Sequence, residues 1–403
     1  MATTDANLVP GDHGEFAFEA RLVEDGGAVR LVIRDGRVAE LDRLDRDPTT
    51  DTWISPGWID VQVNGFGGHD PNAVDATASN VIEMVRALWE QGTTAVCPTI
   101  CTQSEQHILR SIRAVVEARR SDPLVAGSIV GIHIEGPHIS LEDGPRGAHP
   151  LEHVRPPDLA EYQRWQEAAE GLVRIITLSP EYPGAADYVR AIVSDGVIAS
   201  VGHTGASSDQ IQAAVDAGAR WSTHLGNGAH ATLPRHPNYI WDQLAEDRLS
   251  AGFIFDGHHL PPAVMRSVIR AKGLERSVLV TDAIAIAGLP PGVYPSAVGG
   301  TVELLPSGRL ILSGTPYLAG SAATLPICLG NAVRHAGITV REAVRMVTAN
   351  PSRLLGLGVA RGHETTRTGV EANLTLFRQA AGSGDPEVVG TIVAGQLVSG
   401  VAG

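Results

Sequence analysis

Between residues 58 and 282, eight short strand-like runs alternate with longer segments of helical periodicity, and this limits the possible folds more than any other feature of the sequence. The runs are WIDVQV (58–63), TTAVCPT (93–99), IVGIHIE (129–135), VRIITLS (173–179), IASVGH (198–203), WSTHL (221–225), SAGFIFD (250–256) and SVLVTD (277–282). Each is rich in β-branched or apolar residues and leads into a Gly-, Pro- or polar-rich loop. The intervening segments carry apolar residues at helical spacing. Val81, Ile82, Val85, Leu88 and Trp89 precede a stop at Gly92, and Ala185, Tyr188, Val189, Ile192 and Val193 precede Gly196. Ser208 is expected to cap a helix carrying Ile211, Ala214 and Val215. Eight such units predict an α/β fold, a (β/α)8 TIM-like barrel; a doubly wound sheet is the weaker alternative.

The flanks read differently. Residues 1–18 resemble a loose tail, and 29–41 form a hairpin pattern around Asp35-Gly36. After Asp282 comes a hairpin-like pair, TVELL (301–305) and RLILS (309–313). Helices are expected at 322–335 and 340–348, followed by terminal strands ANLTLF (372–377) and VVGTIVAGQLV (388–398). Residues 19–55 and 357–403 are therefore expected to form a small β-sandwich domain beside a barrel of residues 56–356. With 43% hydrophobic and 19% charged residues the composition suits a globular enzyme. A formal charge of −14 argues against nucleic acid and anionic membranes as partners. No run approaches the roughly 18 apolar residues of a membrane span, and the N-terminal residues lack a secretory pattern. Cys97, Cys101 and Cys328 lack the second Cys pair of a zinc cage and read as buried reduced thiols, which suits the cytoplasm.

In a barrel the loops after the strand C-termini build the active site. Those positions carry Gln62 and Asn64 in the first unit, Glu135 in the third, His203 in the fifth and His224 in the sixth. His259 lies beyond the seventh run and Asp282 ends the eighth. A carboxylate leaving a buried strand is costly unless a cation sits beside it. One Glu and two His supply the three protein ligands of a catalytic zinc site, with one position left for water or substrate. Ferrous iron accepts the same donors. Asp282, across the mouth, could exchange a proton with an attacking water. Singly each residue has a blander reading: a strand-end histidine can be a hydrogen-bonded core residue, Asp282 a cap, and Glu135 the partner of Arg146. Four such residues at equivalent strand ends favour the metal site.

The motifs GIHIEGPHIS, RGAHP (146–150), VGHT (201–204), THLGNGAH (223–230), DGHHL (256–260) and VTDAIAIAG (280–288) resemble the N-acetylglucosamine-6-phosphate deacetylases of the amidohydrolase superfamily. So do the entry PGWIDVQVNGFGG (56–68) and the exit TANPSRLLGLG (348–358), all in matching order. The resemblance implies Glu135, His203 and His224 as ligands of one divalent ion, and Asp282 as catalytic acid/base. His149 is implied to contact the sugar and the scissile amide, and Asn227 and Gly228 to contact the substrate. Arg235 and His259 are implied as phosphate-binding residues, the arginine being offered across a homodimer. Many amidohydrolases carry His-x-His in the first unit; Gln62-Val63-Asn64 resembles the one-metal branch, and Gln62 and Asn64 are poor zinc ligands that can hydrogen-bond near the site. His138, which follows Glu135 in the chain, is a further candidate for lining the pocket. The loop HATLPRHPNYIW (230–241) departs from the family's glycine-rich version, and His258 beside His259 is also unusual. The expected reaction removes acetyl from N-acetylglucosamine 6-phosphate. The alternatives are an amidohydrolase acting on another small amide or an unphosphorylated N-acetyl sugar, and a non-catalytic binding member of the fold.

Overall fold

The computed structural model describes residues 9–10, 15–295, 301–315, 317–379 and 384–400. Eight parallel strands follow one another in chain order around a nearly closed barrel. They are β1 (Trp58–Val63), β2 (Thr93–Cys101), β3 (Ile132–Glu135), β4 (Val173–Leu178), β5 (Ile198–Val201), β6 (Trp221–Ser222), β7 (Ser250–Ile254) and β8 (Ser277–Val280). This is the expected (β/α)8 barrel. The strands are buried on both faces, because helices cover the outside and side chains fill the inside. The helix Ala78–Trp89 buries Val81, Met84, Val85, Leu88 and Trp89, and Ala185–Ser194 buries Ala185, Tyr188, Val189 and Ile192. Each such aliphatic or aromatic side chain removed from water stabilises by about 1.5–3 kcal/mol. The cap expected at Ser208 falls one residue earlier. Ser207 exchanges a reciprocal pair of hydrogen bonds with Gln210 at the start of Ser208–Asp216.

Inside the barrel, alternation stacks the side chains in layers. Ile175, Ile198 and Trp221 form part of an apolar floor. Two residues further along each strand, Thr177, Ser200 and Thr223 link up: Thr177 and Thr223 hydroxyls lie 2.6 Å apart, and Ser200 and Thr223 2.5 Å. His133 joins this layer through Thr177 Oγ1 at 2.7 Å, and its other nitrogen donates to Val61 O at 3.1 Å. Burial drives the His133 pKa down to about 4, so the layer carries no charge there. Glu135 is the next inward residue of β3 above this layer.

A regular ladder is missing at one seam, between β1 and β8, where the backbone meets only at the Val63–Ala283 bridge. The Asp60 carboxylate fills the gap, accepting from Thr281 Oγ1 at 2.6 Å and from the Thr281 and Gln62 amides. Asp282 N donates to Gln62 O at 3.0 Å, and Asn64 N to Ala283 O at 2.8 Å. This stitch fixes the chain direction where β8 delivers Asp282.

Both chain ends build a second, eight-stranded sheet, in which Leu374–Gln379 pairs with Trp53–Pro56. Phe16–Leu22, Ala28–Arg34 and Arg37–Arg43 extend it on one side, and Pro386–Val393 and Gln396–Gly400 on the other. The hairpin at Asp35-Gly36 is present, both residues taking positive φ (51° and 75°) as a tight two-residue turn requires. Two expectations shift. Val9–Pro10 pairs with the strand that starts at Phe16, inside the segment read as a tail, of which 1–8 and 11–14 lie outside the described residues. The run read as one strand at 388–398 is a hairpin that turns at Ala394-Gly395. Thr375 and Thr391 hydroxyls dock this sheet on Gly92 O and Trp89 O, each at 2.7 Å. The pair 301–305 and 309–313 forms as Thr301–Leu304 and Leu310–Leu312, with Gly292–Pro295 added as a third strand. The helix expected at 322–335 is a helix at Leu325–Asn331 continued by a wider turn at Ala332–Ala336.

Candidate active site

Glu135, His203 and His224 converge at the C-terminal mouth of the barrel. His224 Nε2 lies 3.0 Å from Glu135 Oε1 and 2.9 Å from His203 Nε2, and His203 Nε2 lies 3.4 Å from Glu135 Oε1. A tetrahedral ion with bonds of about 2.0–2.1 Å has ligand-to-ligand edges of about 3.3 Å, so this triangle has the size of a metal-binding face. The donor chemistry agrees. His203 Nδ1 lies 2.8 Å from Pro145 O, an oxygen that can only accept. The ring proton therefore sits on Nδ1, and Nε2 turns a lone pair toward the other two donors. His149 also brings a donor atom to within 4.8 Å of Glu135 and His203, so two triads share those two residues. His224 closes the tighter one. His149 Nδ1 is engaged 2.8 Å from Thr102 Oγ1, and its ring stands edge-on to His203 at 4.4 Å.

Backbone conformation marks the same places. His203, His224 and Asp282 have φ of 49°, 27° and 50°, in a region that side-chain-bearing residues rarely adopt. Each stands two residues beyond the end of its strand, where the left-handed turn aims the side chain across the mouth. Three strained residues at three equivalent strand ends signal a functional constraint rather than an accident of looping. Small residues make room: a Cβ on Gly228, whose φ is +55°, would stand 2.7 Å from His203 Nδ1.

Electrostatics follow from these contacts. Burial alone would raise the Glu135 carboxyl, but the hydrogen bond and charge of His224 outweigh it and hold the group well below the usual carboxylate range. Burial opposes the charge on His224, yet the Glu135 bond and charge raise its pKa to about 8. Asp282 moves the other way: burial first, then the negative charge of Glu135, lift its carboxyl to about 6. Its Oδ1 accepts from Asn64 Nδ2 at 2.7 Å and Gln62 Nε2 at 3.0 Å, and the Gln62 amide also reaches Glu135 Oε1 at 2.8 Å. Gln62 and Asn64 thus hold the two carboxylates in one network. His149, desolvated and beside His203, falls to about 3 and stays neutral at working pH.

The other expected residues sort out as follows. Asn227 folds back on His224 O, through its amide nitrogen at 3.0 Å and its side chain at 3.2 Å. His259 Nδ1 is held 2.7 Å from Asp256 Oδ2, whose other oxygen accepts from the His258 and His259 amides. Arg235 and His236 are exposed on the loop after β6. His138 packs between Trp165 and Tyr188, at centroid distances of 5.3 and 5.4 Å, with Nδ1 on Arg155 O. It lines the wall behind the β3 loop and bonds to none of the three ligands. Arg146 pairs with Asp143 and His149 O, so it is not the partner of Glu135. His363 is buried in the loop after 359–361, with Nδ1 3.0 Å from Gly57 O.

Thr102, Asp256 and the Pro145 carbonyl went unread in the sequence. Asp256 carries a local signal, its spacing of three to His259. Thr102 and Pro145 carry none, because each reaches a histidine that is distant in the chain. Cys101 donates to Asn64 Oδ1 at 3.1 Å, tying β2 to the same network. All three cysteines are free thiols.

The model of the amidohydrolase family matches residues 53–398. The chain is 32% identical over 349 residues to the N-acetylglucosamine-6-phosphate deacetylase of Bacillus subtilis (strain 168), covering 86% of this chain and 85% of that protein. It is 34% identical over 299 residues to the N-acetylgalactosamine-6-phosphate deacetylase of Shewanella sp. (strain ANA-3), 74% of this chain and 73% of the relative. Among solved structures, the N-acetyl-D-glucosamine-6-phosphate deacetylase of Mycobacterium smegmatis in complex with N-acetyl-D-glucosamine-6-phosphate superposes with a TM-score of 0.81. That match has 31% identity and covers 92% of this chain and 94% of the other.

Proposed function

The chain belongs to the amidohydrolase family, and from that premise we propose that it hydrolyses the acetamide of N-acetylglucosamine 6-phosphate to glucosamine 6-phosphate and acetate. The observation that carries this is the Glu135/His203/His224 triangle facing Asp282 across the barrel mouth. The family is metal-dependent, and these three side chains would hold one divalent ion, zinc in our reading. When bound, such an ion polarises the amide carbonyl and lowers the pKa of water toward ~7.

The remaining work falls to the chain itself. Asp282, as its carboxylate, accepts a proton from the water that attacks the carbonyl carbon. Gln62 and Asn64 hold its Oδ1 during that transfer. As the C–N bond breaks, Asp282 returns the proton to the departing amine, and acetate leaves. His149, neutral and anchored by Thr102, is placed to hydrogen-bond the amide oxygen or a sugar hydroxyl. Asn227 and Gly228 shape the sugar's edge of the site. His259, backed by Asp256, and the exposed Arg235 supply the phosphate pocket, an Arg fork and an imidazole suiting a phosphate dianion. Because Arg235 projects from the surface, the reading includes a homodimer in which each subunit offers it to the other.

Among the described residues no helix is long and apolar enough to cross a membrane. A cytoplasmic location accompanies the proposal, as do the absence of nucleic-acid and membrane partners. The Shewanella relative makes the C4 epimer a second reading. The deciding experiment measures acetate release from N-acetylglucosamine 6-phosphate, its galactosamine epimer and the unphosphorylated sugar, using protein of measured metal content. Preference for the first supports the assignment. Preference for the epimer moves it by one stereocentre. Activity on none, with one ion bound per chain, keeps the hydrolase and discards these substrates.

A further inference from the structure

The loop after β6 makes a specific contact. His230 Nε2 lies 2.7 Å from Glu142 Oε2 on the loop after β3. The other face of His230 is tied down within its own loop. Its backbone amide donates to the Tyr239 hydroxyl at 2.8 Å, and its Nδ1 lies 3.0 Å from the same oxygen. Tyr239 is itself buried at the start of the helix Tyr239–Ala245, whose first turn Asn238 caps. One histidine therefore joins a rigid helix start to a loop from three strands away.

What the two loops enclose gives the contact its meaning. From the β3 loop, Pro145 O holds His203 Nδ1, and Gly147 lies against the same ring, a Cβ there standing 3.4 Å from Cε1. From the β6 loop, Gly228 lies against the ring, a Cβ there coming within 2.7–3.1 Å of its atoms. The loops also meet directly: a Cβ on Gly144 would stand 2.9 Å from His230 Cα and 3.0 Å from Ala229 O. The His203 imidazole is thus gripped between two loops, and the Glu142–His230 pair bridges those loops.

We propose that Glu142 and His230 form a latch that positions His203, acting through the Pro145–Gly147 and Gly228 segments to keep its Nε2 in the ligand triangle. Neither residue touches the substrate or the reacting atoms; both are positioning residues. The inference rests on the proposed metal site. Its test separates the two.

The experiment uses the metal-loaded full chain and reads metal release into excess chelator, together with hydrogen exchange of residues 140–149 and 226–230. His230→Ala should release metal about tenfold faster and expose both loops to exchange. Glu142→Ala should do the same, and the double variant should be no faster than either single one, since each removal opens the same latch. His230→Gln, which keeps a donor at this position, should recover part of the slow release. Unchanged exchange in His230→Ala, or release within twofold of the parent, overturns the latch. Additive effects in the double variant overturn it as well. A parent protein that takes up no metal overturns the site reading and the latch's ligand role together, whereas unchanged loop exchange in a protein that does bind metal removes the latch alone.

Discussion

Replacing Asp282 by Asn should change activity and stability in opposite directions. The Asp282 carboxyl is largely buried, and burial and then the Glu135 charge raise it from 3.8 to about 6. An asparagine can present its carbonyl oxygen to the same Asn64 and Gln62 amides that Asp282 Oδ1 accepts from, so the fold around the site is retained. A carboxyl whose folded pKa lies above its unfolded value has an ionised form that folding disfavours. That penalty is complete above about pH 6 and absent below the unfolded value near 3.8. A shift of about two units at ~1.36 kcal/mol each amounts to roughly 3 kcal/mol. The metal-free variant should therefore be more stable than the metal-free parent near pH 7.5, by up to that amount, and no different near pH 4. For a chain of this size that is a rise in Tm of a few degrees. Turnover should fall by about 10²–10⁴, the usual contribution of a positioned acid/base group. In the metal-loaded parent, kcat should decline at acid pH as Asp282 takes up a proton, with a midpoint below that of the metal-free chain because the ion offsets the Glu135 charge. Thermal unfolding of chelated protein at the two pH values, with steady-state acetate release, reads all of this. A variant equally or less stable at both pH values would refute the electrostatic reasoning, and turnover within tenfold of the parent would refute the catalytic role.

Chelation should abolish acetate release, zinc should restore it, and zinc at a hundredfold excess over its Kd should add about 2.7 kcal/mol to stability, read as a Tm shift. Gly228→Ala places a methyl group against His203 at a backbone angle that disfavours side chains; metal affinity should drop at least about tenfold by titration while the fold persists. Thr102→Val removes the anchor of His149 Nδ1, and the loss of about 1–1.5 kcal/mol of hydrogen bonding should lower kcat about tenfold with metal content unchanged. Arg235→Ala should raise KM for the phosphorylated sugar by roughly ten- to a hundredfold, as expected for a charge-assisted bond of about 1.5–3 kcal/mol, and leave an unphosphorylated substrate unaffected. Equal effects on both substrates would remove Arg235 from the phosphate pocket.

The barrel was legible because its information is local and periodic. Each strand is apolar on the outward face, each helix repeats at 3.6 residues, and in a parallel barrel the strand C-termini share one rim. Residues at corresponding places in separate units, such as Glu135, His203, His224 and Asp282, therefore had to meet. Illegible features depend on contacts distant in sequence. The turn at Ala394-Gly395 passed for the middle of a strand because what holds it is remote: Ala394 N donates to Asn373 Oδ1, and Gly395 N to Ala372 O, both at 2.9 Å. The burial of His363 in its loop was hidden for the same reason, its anchor being a carbonyl some three hundred residues away. The run at 221–225 keeps backbone bonds on both sides, Thr223 N to Val201 O at 3.0 Å and Leu225 N to Gly252 O at 2.9 Å, but its regular ladder ends at Ser222 because His224 takes its left-handed φ.

That last departure bears on the chemistry. A sequence pattern can say that a histidine ends a strand, but not that its backbone leaves the extended region there. At His203 and His224, which stand three residues beyond the inward-facing Ser200 and Trp221, continued β-geometry would turn the side chain to the outer face of the barrel rather than across the mouth. The cost of such a conformation is about 1–3 kcal/mol per residue. At His203 and Asp282 it is offset by bonds that local sequence does not encode, Ser140 N to His203 O at 2.9 Å and Asp282 N to Gln62 O at 3.0 Å, supplied by the β3 loop and by the seam that Asp60 closes; at His224 the offsetting bond is local, from Asn227 N to His224 O at 3.0 Å. The ligand set is therefore readable from the strand ends, whereas its geometry is a property of the rim as a whole.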